Sequence, residues 1–365
     1  LKAPNAQKVQ ITGDFLPTKQ IDTPVGKYDA PGVADLVKDD KGVWSFTSTN
    51  LSPELYSYNL ILDGVKIVDP GSVYITRDIT SETNIFILSD KKGDCGDLYT
   101  VNEVPHGNVS KVWYDSPTLK MQRRMTVYTP AGYDKGKDYP VLYLLHGAGG
   151  DEDAWTTLGR AQHILDNLIA TGKAKPMVVV MTNGNPNCQA APGEWSAGMY
   201  VPSFNGYQGA KAVATMDESF PDVMNYVESH YKVGKDKAHR AICGLSMGGG
   251  HSFDISRRFP NKFDYVGLFS AGLHVGKTGD FRTDFYKMLQ EDEEAKQQLA
   301  TLFKNKPKLY WIGMGKTDFL YKSTAGLRRY FDEKGYKYTY METEGGHIWR
   351  NWRVYLTEFA QKIFK

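Results

Sequence analysis

The amino-acid sequence predicts two domains of different class, a small all-β domain followed by an α/β domain with a doubly wound, mostly parallel sheet. The chain has 365 residues. A domain with a single hydrophobic core is usually smaller, since such cores stop growing at roughly 250–300 residues. The first 90 residues carry strand signals only, whereas the later residues alternate apolar runs with amphipathic helical stretches. The composition, with 41% hydrophobic and 24% charged residues, is typical of a globular chain.

The first domain, over residues 1–90, is predicted from alternating apolar residues and a turn signal. Its clearest strand places every second residue on one face, namely Tyr56, Tyr58, Leu60 and Leu62. The Asp63-Gly64 pair that follows is a strong hairpin signal. We therefore expect a small immunoglobulin-like β-sandwich. The polar segment around SDKKGDCGD lacks apolar periodicity, and it predicts a linker over residues 91–105.

The second domain, over residues 106–365, is predicted from short apolar runs that read as buried parallel strands. These runs are residues 139–145, 176–181, 241–245, 265–270 and 308–313. Amphipathic stretches lie between them, and one has apolar residues at i, i+3, i+4 and i+7, namely Phe220, Val223, Met224 and Val227. Strands that alternate with helices over such a length indicate a doubly wound sheet.

Composition excludes several classes of partner. Lys and Arg number 44 against 42 Asp and Glu, so the formal charge of +2 provides no basic surface for a nucleic acid. A run of 18 apolar residues, which a membrane span requires, is absent from the sequence. The three cysteines form no CxxC, and no histidine pair has metal-ligand spacing, so we expect neither a metal site such as zinc nor a disulfide framework. The sequence neither predicts nor excludes a disulfide between Cys95 and Cys188. Because the chain begins with Leu1, we expect a mature chain whose targeting segment has been removed.

The segment AICGLSMGGGHSF carries the clearest chemical signal. Its Gly244-Leu245-Ser246-Met247-Gly248 matches G-x-S-x-G, with a predicted strand before it and a predicted helix over 247–259 after it. That strand–turn–helix context is what the nucleophile elbow of an α/β-hydrolase requires, because the serine must stand exposed at a sharp turn. The alternative is a glycine-rich turn with a structural serine. A second serine segment, GEWSAG at 193–198, lacks the glycine two residues before Ser196 and a preceding strand.

A serine nucleophile needs a general base and an acid that orients the base. His347 follows a strand-like segment and precedes the last predicted helix, where the order serine, acid, histidine places the base. His274 comes too early in the chain for that order, so we expect it at a pocket rim or in a structural role. Asp318 lies just after the 308–313 strand and is the preferred acid, with Glu344 as the alternative.

An oxyanion hole needs two backbone N–H groups that point at the developing negative charge. One is expected from Met247, the residue after the nucleophile. The other is expected from Ala148, because LLHGAGGDEDAW forms the loop after the first buried strand. His146 in the same loop is expected to be structural.

Aromatic residues near these segments are candidates for substrate binding. Residues 185–214 form an irregular insertion, which we expect to lie over the pocket and which contains Trp195. Trp349, beside the predicted base, and Trp155, in the oxyanion-loop segment, are the other substrate-binding candidates. The alternative for the insertion is that its rings pack the loop onto the domain. Trp352 is expected to anchor the last helix.

Five segments in order resemble the esterase-D-like hydrolases, in particular carbohydrate esterase family 1, namely HGAGGDEDAW, GRAQHILDNLIATGKAKPMVVVM, GLSMGGGHSF, GKTDF and GGHIWRNWR. The resemblance covers residues 98–365. It implies Ser246 as nucleophile, His347 as base and Asp318 as acid, with oxyanion amides at the two positions named above. It also implies a secreted or periplasmic serine esterase without cofactor that acts on plant cell-wall polysaccharide, with feruloyl esters of arabinoxylan as the first hypothesis. Residues 42–72 resemble the early-set, glycogen-binding-like modules that precede such esterases.

Three alternatives stay open at this point. An acetylxylan esterase would use the same three residues. A siderophore esterase also places a β domain before this catalytic fold, although the near-neutral charge does not favour an anionic ferric catecholate. The third alternative is a carbohydrate-binding protein with an inactive hydrolase domain, which the intact order of Ser246, Asp318 and His347 does not favour.

Overall fold

The structure is a computed structural model that describes residues 1–23, 26–204, 207–209, 211–276 and 284–365. The chain divides into two compact units, Leu1–Asn102 and Glu103–Lys365. The division falls inside the segment 91–105, for which the sequence predicts a linker.

The first unit is built from antiparallel strands and one short helix. They are β1 Val9–Gly13, β2 Lys19–Thr23, β3 Gly26–Ala30, β4 Gly32–Asp35, β5 Val37–Lys38, β6 Trp44–Ser45, β7 Glu54–Leu62, β8 Val65–Ile67, β9 Ile75–Asp78, β10 Ser81–Leu88 and α1 Cys95–Tyr99. The main sheet has the order β4-β1-β7-β10-β9, and β8 pairs with β7. Asp63 and Gly64 join β7 to β8 with φ values of 47° and 90°, as the hairpin signal predicts.

The polar segment near residue 95 contains a helix that the sequence analysis did not anticipate. Asp94 caps α1 by accepting a hydrogen bond from the Asp97 N–H, and Tyr99 is 1% exposed. A Cβ on Gly96 would lie 1.7 Å from the Leu88 carbonyl oxygen, so only glycine lets the helix approach the end of β10. A helix of five residues is too short to show an apolar periodicity in the sequence, so this helix could not be predicted from pattern.

The second unit is an eight-stranded sheet in the order β11-β12-β14-β13-β15-β16-β17-β18. The strands are β11 Asn108–Ser116, β12 Met121–Thr129, β13 Val141–Leu145, β14 Val178–Thr182, β15 Arg240–Leu245, β16 Tyr265–Phe269, β17 Leu309–Gly315 and β18 Thr339–Thr343. Strands β11 and β12 are antiparallel to their neighbours, and the strands from β14 to β18 in the sheet are parallel. The predicted doubly wound, mostly parallel sheet is confirmed, and β11 and β12 are strands that the sequence analysis did not name.

Helices follow the parallel strands and cover the sheet. They are α2 Ala154–Thr157, α3 Ala161–Ala170, α4 Met216–His230, α5 Met247–Arg258, α6 Phe285–Glu291, α7 Glu293–Lys304, α8 Tyr321–Lys334 and α9 Trp349–Ala360. Helix α5 packs on β15 and β16, and α9 packs on β16 and β17. Fully buried strand residues such as Leu142, Val179 and Ile242 explain why these strands read as continuous apolar runs.

Two further observations concern the described residues of both units. No helix in the described ranges is long and apolar enough to cross a membrane. Among the described residues, none of Cys95, Cys188 and Cys243 is in a disulfide, so the Cys95–Cys188 bridge is absent from the structure.

Candidate active site

Ser246 occupies a strained turn between β15 and α5. Its backbone has φ 53° and ψ −115°, a region that residues other than glycine rarely occupy and that costs about 1–3 kcal/mol. Neighbouring backbone holds this conformation, since the Ser246 N–H donates to the Phe269 carbonyl and the Gly272 N–H donates to the Ser246 carbonyl, both at 2.9 Å. The side chain of Ser246 makes no capping bond to α5. The predicted elbow geometry is therefore present.

The two motif glycines are required by close approach of backbone. A Cβ on Gly244 would lie 2.5 Å from the Gly248 carbonyl oxygen. A Cβ on Gly248 would lie 2.5 Å from the carbonyl oxygens of both Leu145 and His146. The first turn of α5 can thus pack against the end of β13 only when both positions lack a side chain.

Half-buried His347 and buried Asp318 form a hydrogen-bonded pair. The Nδ1 atom of His347 lies 2.9 Å from Oδ2 and 3.1 Å from Oδ1 of Asp318, whose side chain is fully buried. Asp318 Oδ1 also accepts the Leu320 N–H at 2.9 Å. An ionised carboxylate only accepts, so Nδ1 carries the proton and Nε2 is left as a base.

Topology brings this pair to the same edge of the sheet as Ser246. Ser246 directly follows β15, while Asp318 and His347 follow β17 and β18. These strands lie in the order β15-β16-β17-β18 and are parallel, so their carboxyl ends share one edge. Ligand sites of open α/β sheets form at that edge.

The structure places the two alternative residues elsewhere. Glu344 pairs with Lys316, and its side chain is 83% exposed. His274 is exposed in the segment after β16. The hydrogen-bond partner of His347 is therefore Asp318, and the alternative acid faces solvent with its own cation.

Aromatic rings surround His347. Phe319 lies 4.5 Å from the imidazole centroid, and Trp352 lies edge-on at 4.9 Å. Trp352, expected to anchor the last helix, thus also packs against the histidine. Trp349 is half-buried and lies edge-on to both Trp352 and Trp155, at 5.2 and 5.3 Å.

The structure contradicts the prediction that Trp155 binds substrate, because the ring is buried. Trp155 is 1% exposed and donates from Nε1 to the Leu145 carbonyl at 2.9 Å. The ring contacts Trp349 edge-on, and its hydrogen bond to Leu145 joins it to the last residue of β13. The sequence around a tryptophan in a loop does not show whether its ring lines a pocket or is buried in the core.

The loop after β13 lies beside the nucleophile. A Cβ on Gly147 would lie 3.2 Å from Cβ of Ser246. Ala148 follows in this loop, and Met247 begins α5. Within the part of the chain that the structure describes, neither the Ala148 N–H nor the Met247 N–H donates to a protein acceptor. Both predicted amides are thus available beside Ser246.

The insertion over 185–214 is described except for residues 205, 206 and 210. Trp195 is half-buried and packs edge-on against Tyr207 with 5.1 Å between ring centroids. The Nε1 atom of Trp195 is buried without a hydrogen-bond partner among the described residues. The ring thus packs against another residue of the insertion, and substrate binding by Trp195 stays a prediction.

Two adjacent arginines that the sequence analysis missed hold the start of this insertion. Arg123 donates to the carbonyls of Asn183, Asn185 and Cys188 at 2.7, 2.8 and 3.1 Å. Arg124 donates to Glu152 at 2.7 Å, and the side chain of Glu152 is fully buried. The available signal was a pair of charged residues inside a strand whose other residues are uncharged. In the described residues, no group of three or more His, Cys, Asp or Glu side chains is placed to hold a metal ion.

Comparison with known proteins assigns the family. A family model described as "Putative esterase" matches residues 116–363. The chain belongs to this esterase family. The prediction of a carboxylic ester hydrolase is thereby confirmed.

A curated relative extends the similarity to most of the chain. The "Endo-1,4-beta-xylanase/feruloyl esterase" of Xylanibacter ruminicola is 32% identical over 341 residues, which cover 90% of this chain and 41% of that protein. The chain therefore spans less than half the length of this relative.

Solved structures confirm the predicted α/β-hydrolase fold. A ferulic acid esterase is 26% identical with a TM-score of 0.56, and the match covers 70% of this chain and 97% of that one. The enterobactin esterase of Shigella flexneri has a TM-score of 0.60 and covers 98% of this chain and 88% of its own. At 13% identity, this second likeness bears on the fold alone.

Proposed function

We propose that this chain is a serine esterase that hydrolyses feruloyl and related hydroxycinnamoyl esters of plant arabinoxylan. The observation that carries the proposal is the His347–Asp318 pair, which leaves the Nε2 atom of His347 as a base at the sheet edge where Ser246 stands on its strained turn. The proposed catalytic residues are Ser246, His347 and Asp318, and the proposed oxyanion donors are the amides of Ala148 and Met247.

The acylation step follows from these roles. His347 accepts the Ser246 hydroxyl proton at Nε2 while Oγ attacks the ester carbonyl. The carbonyl oxygen becomes an oxyanion, which the amides of Ala148 and Met247 stabilise. Collapse of the tetrahedral intermediate breaks the bond to the sugar oxygen, which takes the proton back from His347 and leaves. Asp318 keeps the imidazole in one tautomer and stabilises its charged form throughout.

Deacylation repeats the same chemistry with water. His347 removes a proton from water, the hydroxide attacks the acyl carbonyl, and the new oxyanion occupies the same two amides. Ser246 leaves with the proton from His347, and the free carboxylic acid is released. The cycle consumes one water and needs no cofactor.

The hydroxycinnamoyl acyl group is supported by two observations. The names of the relative and of the solved structure reported above both specify feruloyl or ferulic acid esters. Phe319 contacts His347, and half-buried Trp349 packs on Trp352, which also contacts His347, so aromatic surface on which an aryl group can stack lies near the base. A polysaccharide substrate is too large to cross a membrane, so we also propose that the enzyme works outside the cytoplasm.

The test is release of ferulic acid from methyl ferulate and from destarched bran. Wild type should release it, and Ser246→Ala should lower the rate by at least about 1000-fold. The matched control is Ser196→Ala, because Ser196 is the exposed serine of the similar segment GEWSAG and should be dispensable. Ser246-dependent cleavage of an acetyl ester without ferulate release would overturn the acyl group and favour an acetylxylan esterase. Equal rates for wild type and Ser246→Ala would overturn the nucleophile.

A further inference from the structure

His146 is fully enclosed beside the nucleophile, and both of its ring nitrogens have partners. The Gly184 N–H donates to Nε2 at 2.7 Å, and Nδ1 lies 2.7 Å from the Gly147 carbonyl oxygen. A backbone N–H can only donate, so Nε2 is the acceptor and Nδ1 carries the ring proton. Burial lowers the pKa of His146, which keeps the ring neutral and this tautomer in place.

The bond from Nδ1 determines the direction of the neighbouring amide. The Gly147 carbonyl and the Ala148 N–H belong to one planar trans peptide, in which the two groups point in opposite directions. A hydrogen bond that fixes the carbonyl therefore fixes the N–H as well. The peptide lies beside Ser246, since a Cβ on Gly147 would lie 3.2 Å from the serine Cβ.

We propose that His146 is a positioning residue that aims the Ala148 N–H at the ester oxyanion. The proposal rests on the function proposed above and assigns a role that the three catalytic residues do not cover. The peptide turns about ψ of Gly147 and φ of Ala148, so on the Gly147 side the chain itself offers little resistance to its rotation. The Gly150 N–H also donates to the Gly147 carbonyl, at 3.1 Å, so the imidazole is the side chain that holds one orientation together with this backbone turn.

The acceptor side of His146 is held by a second buried group. Arg123, which is 1% exposed, donates to the carbonyls of Asn183 and Asn185, on either side of Gly184. The Gly184 N–H is thereby fixed toward Nε2. A Cβ on Gly184 would lie 3.3 Å from Nε2, a tight contact, which explains the glycine at this position.

Two substitutions separate the two bonds of the ring. The amide nitrogen of an asparagine takes the place of Nδ1, so His146→Asn keeps a donor for the Gly147 carbonyl and loses the bond from Gly184. The amide of a glutamine reaches the place of Nε2, so His146→Gln keeps an acceptor for the Gly184 N–H and loses the donor to Gly147.

The experiment measures kcat and KM on methyl ferulate, together with the melting temperature of each variant. His146→Gln should lower kcat by about 100-fold with KM unchanged, the size of effect expected when one oxyanion donor is lost. His146→Asn should keep kcat within about fivefold of wild type. Binding of an aryl trifluoromethyl ketone, whose adduct with serine carries an oxyanion, should weaken in His146→Gln by the same factor as kcat/KM.

Several results would overturn the proposal. A folded His146→Gln with wild-type kcat would do so, and so would a folded His146→Asn that loses kcat about 100-fold, even if His146→Gln does not fold. A merely structural role would lower the melting temperature and change KM and kcat together in both variants. If wild type shows no Ser246-dependent ester hydrolysis, the proposed function fails first and this inference fails with it.

Discussion

Both carboxylate oxygens of Asp318 lie within 3.1 Å of Nδ1 of His347, whereas Glu344, three residues from that histidine in the chain, pairs with Lys316. Proximity in sequence is therefore a poor guide to the acid here. A residue so close in the chain would have to fold back to reach the far side of the ring. Asp318 reaches it from the end of a neighbouring strand.

Asp318→Asn should leave the protein folded and lower kcat by about 10⁴-fold. The amide nitrogen of asparagine donates to Nδ1, which forces the proton of His347 onto Nε2 and removes the base. Steady-state kinetics on methyl ferulate measures the effect. Glu344→Gln is the control and should stay within about twofold of wild type. A larger loss in Glu344→Gln than in Asp318→Asn would assign the acid to the other residue.

Arg124 and Glu152 form a buried pair whose stability contribution can be measured. Arg124 is 6% exposed, and the side chain of Glu152 is fully buried. Arg124→Met should lower the free energy of unfolding by about 3–5 kcal/mol, because a buried carboxylate loses its cation. Glu152→Gln should also destabilise, and the double variant should cost less than both single changes together.

Urea unfolding of the four proteins gives the coupling between the two residues. The exposed pair of Lys362 and Glu358 supplies the control, since Lys362→Met should cost less than about 1 kcal/mol. Strict additivity of the Arg124 and Glu152 changes would contradict a direct ionic coupling.

His251 gives the fold a dependence on pH. Burial, with a smaller contribution from His146, lowers the pKa of this histidine from 6.5 to about 4. In the unfolded chain the ring binds a proton near pH 6.5, whereas in the folded protein it stays neutral until about pH 4. The unfolded state thus holds more protons between these values, and stability falls as the pH falls through this range.

The contribution of His251 should reach about 3 kcal/mol at most between pH 6.5 and 4. His251→Gln should flatten the dependence of the unfolding free energy on pH in that window. Urea titrations at several pH values check this, with exposed His230→Gln as the control. Because burial also lowers the pKa of His146 and of His163, the comparison is between variant and wild type rather than between absolute slopes. An unchanged slope in His251→Gln would contradict the prediction.

The parts of the fold that follow from local pattern were predictable. Buried parallel strands read as apolar runs, so β13 to β17 were recognised within a few residues, and the glycines around Ser246 identified the turn. Their reason is now visible, since a Cβ on Gly248 would meet the end of β13 at 2.5 Å. The order of Asp318 and His347 after their strands predicted that they would meet.

The parts that depend on distant partners were not predictable. Arg123 and Arg124 lie in a strand, yet they are buried because carbonyls and carboxylates far along the chain receive their hydrogen bonds. The sequence of β12 does not identify those hydrogen-bond acceptors. The burial of Trp155 likewise depends on residues elsewhere in the chain, because its ring bonds to the Leu145 carbonyl and packs against Trp349.

Trp155 and Trp349 should respond differently to substitution, although their rings touch. Trp155→Phe removes the donor to the Leu145 carbonyl, so it should lower the free energy of unfolding by about 1–3 kcal/mol and leave KM unchanged. Trp349→Ala removes half-buried aromatic surface next to Trp352, which contacts His347, so it should raise KM for methyl ferulate about tenfold with little effect on KM for p-nitrophenyl acetate. Urea unfolding and steady-state kinetics on both esters separate the two effects. An equal rise in KM for the acetyl and feruloyl esters in Trp349→Ala would show that this ring does not contact the aryl group.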